Sequence, residues 1–304
     1  MRRILVVGAA VVVTITAASG ALALWPIGEA VTLSERQGDP QRGAYLARAG
    51  GCIACHSDAA SGRPALTGGA PIETGFGHFV PPNLTQDETV GIGAWSVKDF
   101  ARAIRQGIAP DGRPYYPAFP YAFYADLSDQ DIADLWAAFQ TVAPQQAAPG
   151  AHDIAFPFNL RFGLKLWRAA YAKAPATAPD TDRSEMWNQG RWLVNGLAHC
   201  GACHTDRNLF GGRDVTHPLA GNDDLPDGGK APAITASALQ EAGWSVSDLA
   251  FALKSGVSLD GDTFGGGMGE VVRDGTAWLS AQDRRAMALY LLDQDGPVSE
   301  ETTE

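Results

Sequence analysis

The pentapeptide Cys52-Ile53-Ala54-Cys55-His56 returns 148 positions later as Cys200-Gly201-Ala202-Cys203-His204, and the two copies use up all 4 cysteines of the chain. Two thiols three apart, with an imidazole directly after the second, carry a specific chemistry. The cysteines can form thioethers to the vinyl groups of a haem while the histidine rises to the iron, so the spacing points to c-type haem attachment. A zinc site would want four converging ligands, whereas each motif here fixes its histidine beside the second cysteine. Two covalently bound haem c groups are expected, one on Cys52 and Cys55 with His56 as iron ligand, the other on Cys200 and Cys203 with His204.

The repeat extends well beyond the motifs. Asp39-Pro40 starts a helix that runs through Gly43-Ala44-Tyr45-Leu46 to the first motif, where Gly50-Gly51 permits a tight turn. Gly190-Arg191-Trp192-Leu193 stands in the same relation to the second. Trp95-Ser96-Val97-Lys98-Asp99-Phe100 reads as a capping box with a hydrophobic staple, and Trp244-Ser245-Val246-Ser247-Asp248-Leu249 repeats it. Further helices begin at Ser128 and Ser280. The offset between copies drifts only from 148 to 152, the mark of a duplicated unit. No alternating strand pattern appears, so helices and long loops should build each unit. Proline, alanine and glutamine at 143–150 have linker composition, but the apolar run Phe158 to Tyr171 exceeds what a linker needs and reads as a strap fixing the units' relative pose.

Ordinary globular composition, with 45% hydrophobic and 19% charged residues, argues against disorder. The net charge of −11 argues against a nucleic-acid partner, which requires a basic face. Arg2 and Arg3 precede a run from Ile4 to Trp25 without a charged residue, which as a helix would cover about 30 Å of hydrocarbon. Its length favours an N-terminal membrane helix with the remainder exported; cleavage of a signal peptide after Ala21-Leu22-Ala23 is the alternative.

The sixth iron position decides whether a haem only transfers electrons or also binds small molecules. In the second unit Met268, in Gly265-Gly266-Gly267-Met268-Gly269, is the expected ligand. The first unit has no methionine between His56 and Thr141. Counting from the turns Asp111-Gly112 and Asp260-Gly261, the place of Met268 falls on Phe119, and counting back from the helix caps it falls on Tyr116. The first haem is thus open, or takes Tyr116, Tyr121, His78 or His152, while His199 and His217 are read as ordinary histidines. For the second nitrogen of each ligating histidine, the carbonyls of Pro82 and Pro232 are the candidate partners.

These residues resemble the class I cytochrome c family, whose marks are a CxxCH helix, a Pro-Asn-Leu loop and a late methionine before the last helix. More narrowly, Pro81-Pro82-Asn83-Leu84-Thr85, Gly91 to Ser96, Tyr116 to Tyr121 and Gly266 to Val272 are similar to the membrane-anchored cytochrome subunits of bacterial alcohol, gluconate and related dehydrogenases. Those subunits often carry three haems and place methionine where Phe119 stands, two departures of this chain from the pattern.

The resemblance implies an all-α fold of two tandem class I cytochrome c domains joined by a strap, with an N-terminal membrane helix. The expected division is 1–28 anchor or signal peptide, 36–145 first domain, 146–183 linker and strap, 184–296 second domain and 297–304 acidic tail. The function implied is electron transfer from a membrane-associated periplasmic dehydrogenase to a cytochrome, quinone or oxidase of the respiratory chain. The chain would sit on the bacterial plasma membrane with its haem domains in the periplasm, or be soluble there after signal cleavage. The alternative is a dihaem enzyme with an open first haem, peroxidase-like or acting on sulfur compounds. No second cofactor motif supports catalysis by the chain alone: Gly265-Gly266-Gly267 follows no strand and is a weak nucleotide signal.

Overall fold

A computed structural model describes Gly20 and residues 24–225 and 228–295. The first half contributes α1 (Pro40–Ala49), α2 (Cys52–His56), the hairpin of β1 (Ile72–Thr74) and β2 (Gly77–Phe79), α3 (Val97–Gln106) and α4 (Asp129–Gln140). Next come β3 (Asp153–Ile154) and α5 (Gly163–Tyr171). The second half contributes α6 (Glu185–Trp192), α7 (Ala236–Glu241), α8 (Val246–Ser255), α9 (Gly266–Asp274) and α10 (Ala281–Leu291).

Caps set these boundaries. Asp39 accepts the amides of Gln41 and Arg42, with Pro40 at the first helical position. Ser96 with Asp99 and Ser128 with Asp131 form complete capping boxes, while Ser245 and Ser280 cap α8 and α10. In each half the helix leading to the motif crosses the last helix at a glycine. A methyl on Gly43 would meet the Asp134 carbonyl oxygen at 1.8 Å, and one on Gly190 would meet that of Ala286 at 2.0 Å. These crossings bring α1 against α4 and α6 against α10.

The expectation of an all-α chain with an N-terminal membrane helix is corrected. A three-stranded antiparallel sheet in the order β1-β2-β3 pairs Gly77 with Ile154 and His78 with Asp153. Strands this short show no alternation, and β3 joins from beyond α4, so local pattern does not announce them. Among the described residues no helix is long and apolar enough to cross a membrane. Most of the expected span, Ile4 to Trp25, lies outside the described residues, as does the tail at 297–304.

The halves share one buried cluster, which includes Leu46, Ile92, Phe100, Leu193, Leu253 and Met287. Helix α1 touches the π-helical turn Leu193–Leu197 and the turn Thr276–Trp278, and α9 packs on α2. The Tyr45 hydroxyl donates to Asp283 and accepts the Ser280 amide at 3.0 Å, tying α1 to the cap of α10. The strap engages both halves: Arg161 donates to the Pro114 carbonyl and Arg168 to that of Gln106. On its other side Trp167 donates to the Phe210 carbonyl, and Tyr171 stacks on the Phe210 ring.

Candidate haem-attachment sites

Each motif histidine is held by the same chain of contacts. The residue after it, Ser57 or Thr205, offers a hydroxyl oxygen that accepts a leucine amide, Leu66 at 3.1 Å and Leu219 at 3.0 Å. Those leucines sit in left-handed backbone, φ 66° and 63°, an uncommon state for a branched side chain. The twist turns the Leu66 carbonyl to the Leu84 amide and the Leu219 carbonyl to the Ile234 amide. The prolines two residues earlier are thereby delivered to the histidines. His56 Nδ1 lies 2.8 Å from the Pro82 carbonyl oxygen, and His204 Nδ1 lies 2.8 Å from that of Pro232.

A carbonyl oxygen can only accept, so Nδ1 must carry the proton and Nε2 keeps its lone pair. A metal-ligating histidine is oriented in just this manner. Burial pushes His56 down to about 4 and lowers His204, the proline carbonyls opposing that shift, so both rings are neutral near pH 7. In the first half Asn83 also pins the loop, donating to the carbonyls of Gln145 and Ala147 and accepting the Thr85 amide.

Neither Cys52 nor Cys200 shows the lowered pKa of an activated thiol. Burial raises Cys52 and Cys200 to about 12, whereas a redox CxxC pair relies on a thiol with a lowered pKa. Cys55 and Cys203 are exposed, yet protein surrounds Cys55 closely enough that burial, then Cys203, raises it. Among the described residues no three His, Cys, Asp or Glu side chains converge on a metal position, which disfavours zinc. Arg207, which donates to the carbonyls of Ala202 and Gly211, and Arg213, over the Phe123 ring, line a cationic wall near Cys203. Burial and then Arg207 lower Arg213 to about 10, so the pair suits an anionic group such as haem carboxylates.

Met268 lies in the first turn of α9 rather than in a loop and packs against the shared core. The possible ligands of the first half are dispersed. Tyr116 donates to the Phe158 carbonyl at 3.2 Å beneath the Arg161 guanidinium, and Tyr121 lies beneath Arg168. His152 accepts the Val80 amide and packs on Phe79 and Tyr116, while His78 is exposed beside Glu73. Phe119 is boxed by Tyr115, Tyr121 and Tyr124. His217 is exposed and paired with Asp214. Sequence reading missed the Ser57/Thr205 and Leu66/Leu219 contacts. Their signal is Leu66-Thr67-Gly68 against Leu219-Ala220-Gly221, a repeat that shows only when a five-residue insertion is allowed after the second motif.

Over 298 residues, 96% of this chain and 98% of the relative's length, the sequence is 42% identical to a diheme c-type cytochrome of Cereibacter sphaeroides. The chain belongs to the dihaem c-type cytochromes. No protein-family model matches it. This cytochrome is also 39% identical over 260 residues, 83% of its length, to the gluconate 2-dehydrogenase cytochrome c subunit of Pantoea cypripedii, and spans 58% of that relative. It is 37% identical over 253 residues, 82% of its length, to the fructose dehydrogenase cytochrome subunit of Gluconobacter japonicus, of which it covers 51%. Membership brings haem c as cofactor, and the donor set fits that group: paired thiols beside a neutral histidine whose Nε2 is free of the proton.

Proposed function

We propose that the chain is an electron-transfer protein that accepts electrons from a periplasmic dehydrogenase and hands them to a cytochrome, quinone or oxidase of the respiratory chain. The duplicated contact from histidine Nδ1 to a proline carbonyl carries this reading, because it prepares two equivalent iron ligands in one chain. Names of relatives as cytochrome subunits of gluconate and fructose dehydrogenases support the choice of donor. Cys52 and Cys55 would hold one haem and Cys200 and Cys203 the other, with His56 and His204 on iron and Met268 closing the second centre. Bound haem supplies reversible one-electron chemistry, with a methionine ligand raising the potential. The protein's part is to hold each histidine neutral and oriented and to keep the two units packed together through their shared core.

The test uses the purified holoprotein with gluconate, ethanol and fructose. Two haems per chain, reduction by ascorbate or dithionite, and no oxidation of any substrate unaided are expected. Substrate oxidation by the chain alone would overturn the reading.

Phe119 favours a second reading, an enzyme with an open first haem, since a phenyl ring offers iron no lone pair and Tyr116 already donates its hydroxyl proton to Phe158. Low-temperature EPR of the oxidised protein with carbon monoxide titration of the reduced form decides. A high-spin centre that binds carbon monoxide and turns over peroxide would support this reading, and two closed low-spin centres would remove it.

A further inference from the structure

The residue before the first cysteine is Gly51 in one half and His199 in the other, and both adopt left-handed backbone, φ 69° and 41°. Glycine adopts that state freely, whereas histidine holds it only where its surroundings demand it. The duplication therefore keeps a strained histidine where its own other copy uses the unstrained residue. What the ring gains is contact with the opposite motif. His199 Cε1 lies 3.3 Å from where a Gly51 methyl would be. Its ring meets the Tyr124 ring at a centroid distance of 5.7 Å and 83°, and Phe123 at 6.0 Å.

The His199 Nδ1 faces the Leu197 carbonyl at 3.1 Å and the Tyr124 hydroxyl at 3.4 Å. Tyr124 is buried and donates at 2.7 Å to the carbonyl of Gly50. A continuous packed line thus runs from Cys52 through Gly51 and Gly50 to Tyr124, His199 and Cys200. A further contact fixes the same junction: α9 packs on α2.

We propose that His199, braced by Tyr124, is a positioning residue that clamps the two CxxCH turns together and so sets the separation of the two haem sites. The proposal rests on the electron-transfer reading above. The step it serves is one electron leaving the reduced centre and arriving at the oxidised one, with no bond made or broken and the donor dehydrogenase as source.

The test compares wild-type holoprotein with His199→Gly, which has Gly51 as its backbone precedent, and Tyr124→Phe, which keeps the ring and removes the hydroxyl. Two readouts are used: magnetic coupling between the oxidised haems by EPR, and the rate of inter-haem equilibration after pulse-radiolytic injection of one electron. His199→Gly is expected to retain both haems while the coupling weakens and the rate falls several-fold, with a smaller change in the same direction for Tyr124→Phe. Unchanged coupling and rate in His199→Gly would overturn the proposal, even if its urea midpoint falls. Should that variant not fold, Tyr124→Phe decides by the same readouts. A wild-type protein lacking two haems would overturn the functional reading, and the proposal with it.

Discussion

The Thr205 hydroxyl oxygen accepts the Leu219 amide at 3.0 Å, so the residue next to His204 holds the loop that reaches round to that histidine's other side. Thr205 is 1% exposed. Thr205→Val keeps the shape and leaves a buried amide without a partner, which should cost about 1–3 kcal/mol. Urea unfolding of the holoprotein checks this. Ser57→Ala, at the half-buried equivalent, should cost less because water can replace the hydroxyl.

Gly43 and Gly190 each lie under the carbonyl of a crossing helix, with no flexible side chain there to move aside. Alanine at either place forces the helices apart, at a cost of about 1–3 kcal/mol or more. Both variants should lower the thermal midpoint. A neutral result at either would mean that the crossing is looser than the contacts imply.

Asp129 carries the acid sensitivity of the segment before α1. Its carboxylate accepts the Ser34 hydroxyl and amide and pairs with Arg105 at 2.9 Å, and these partners, Ser34 first, hold it well below the usual carboxylate range. A depressed folded pKa gives stability that is present above the unfolded value near 3.8 and is lost as pH falls below it. Proteolysis near Ser34 should therefore quicken as pH drops below about 4. Asp129→Asn should show the faster cleavage already at pH 7, with a flatter pH profile.

Met268→His exchanges the proposed thioether ligand for an imidazole, which lowers a haem potential. A potentiometric titration should show one of two waves moving down while the other stays. Two unmoved waves would mean that Met268 only fills space beside the core, and that another residue closes the second iron.

Much of the frame was legible because it is local. Ser96 and Ser245 cap helices as their capping-box pattern indicated, the helices expected at Ser128 and Ser280 begin there, and Pro82 and Pro232 meet their histidines as the aligned loops suggested. What escaped depends on distant partners. The β2–β3 pairing joins Gly77 to Ile154, and nothing near Asp153 signals a strand. His199 read as ordinary because its meaning lies in Tyr124 and Gly51, both far away in sequence. Met268 looked like a loop residue because three glycines precede it, yet packing on α2 and α8 draws those residues into a helix.

The helix bearing Met268 rests on the attachment turn of the opposite copy, and Tyr45 of one copy closes the cap of the other's last helix. Two units that began as interchangeable have each given up a face to the other. Cutting the chain between them would lay bare the surface each lends the other, so the two copies now stand or fall as one body.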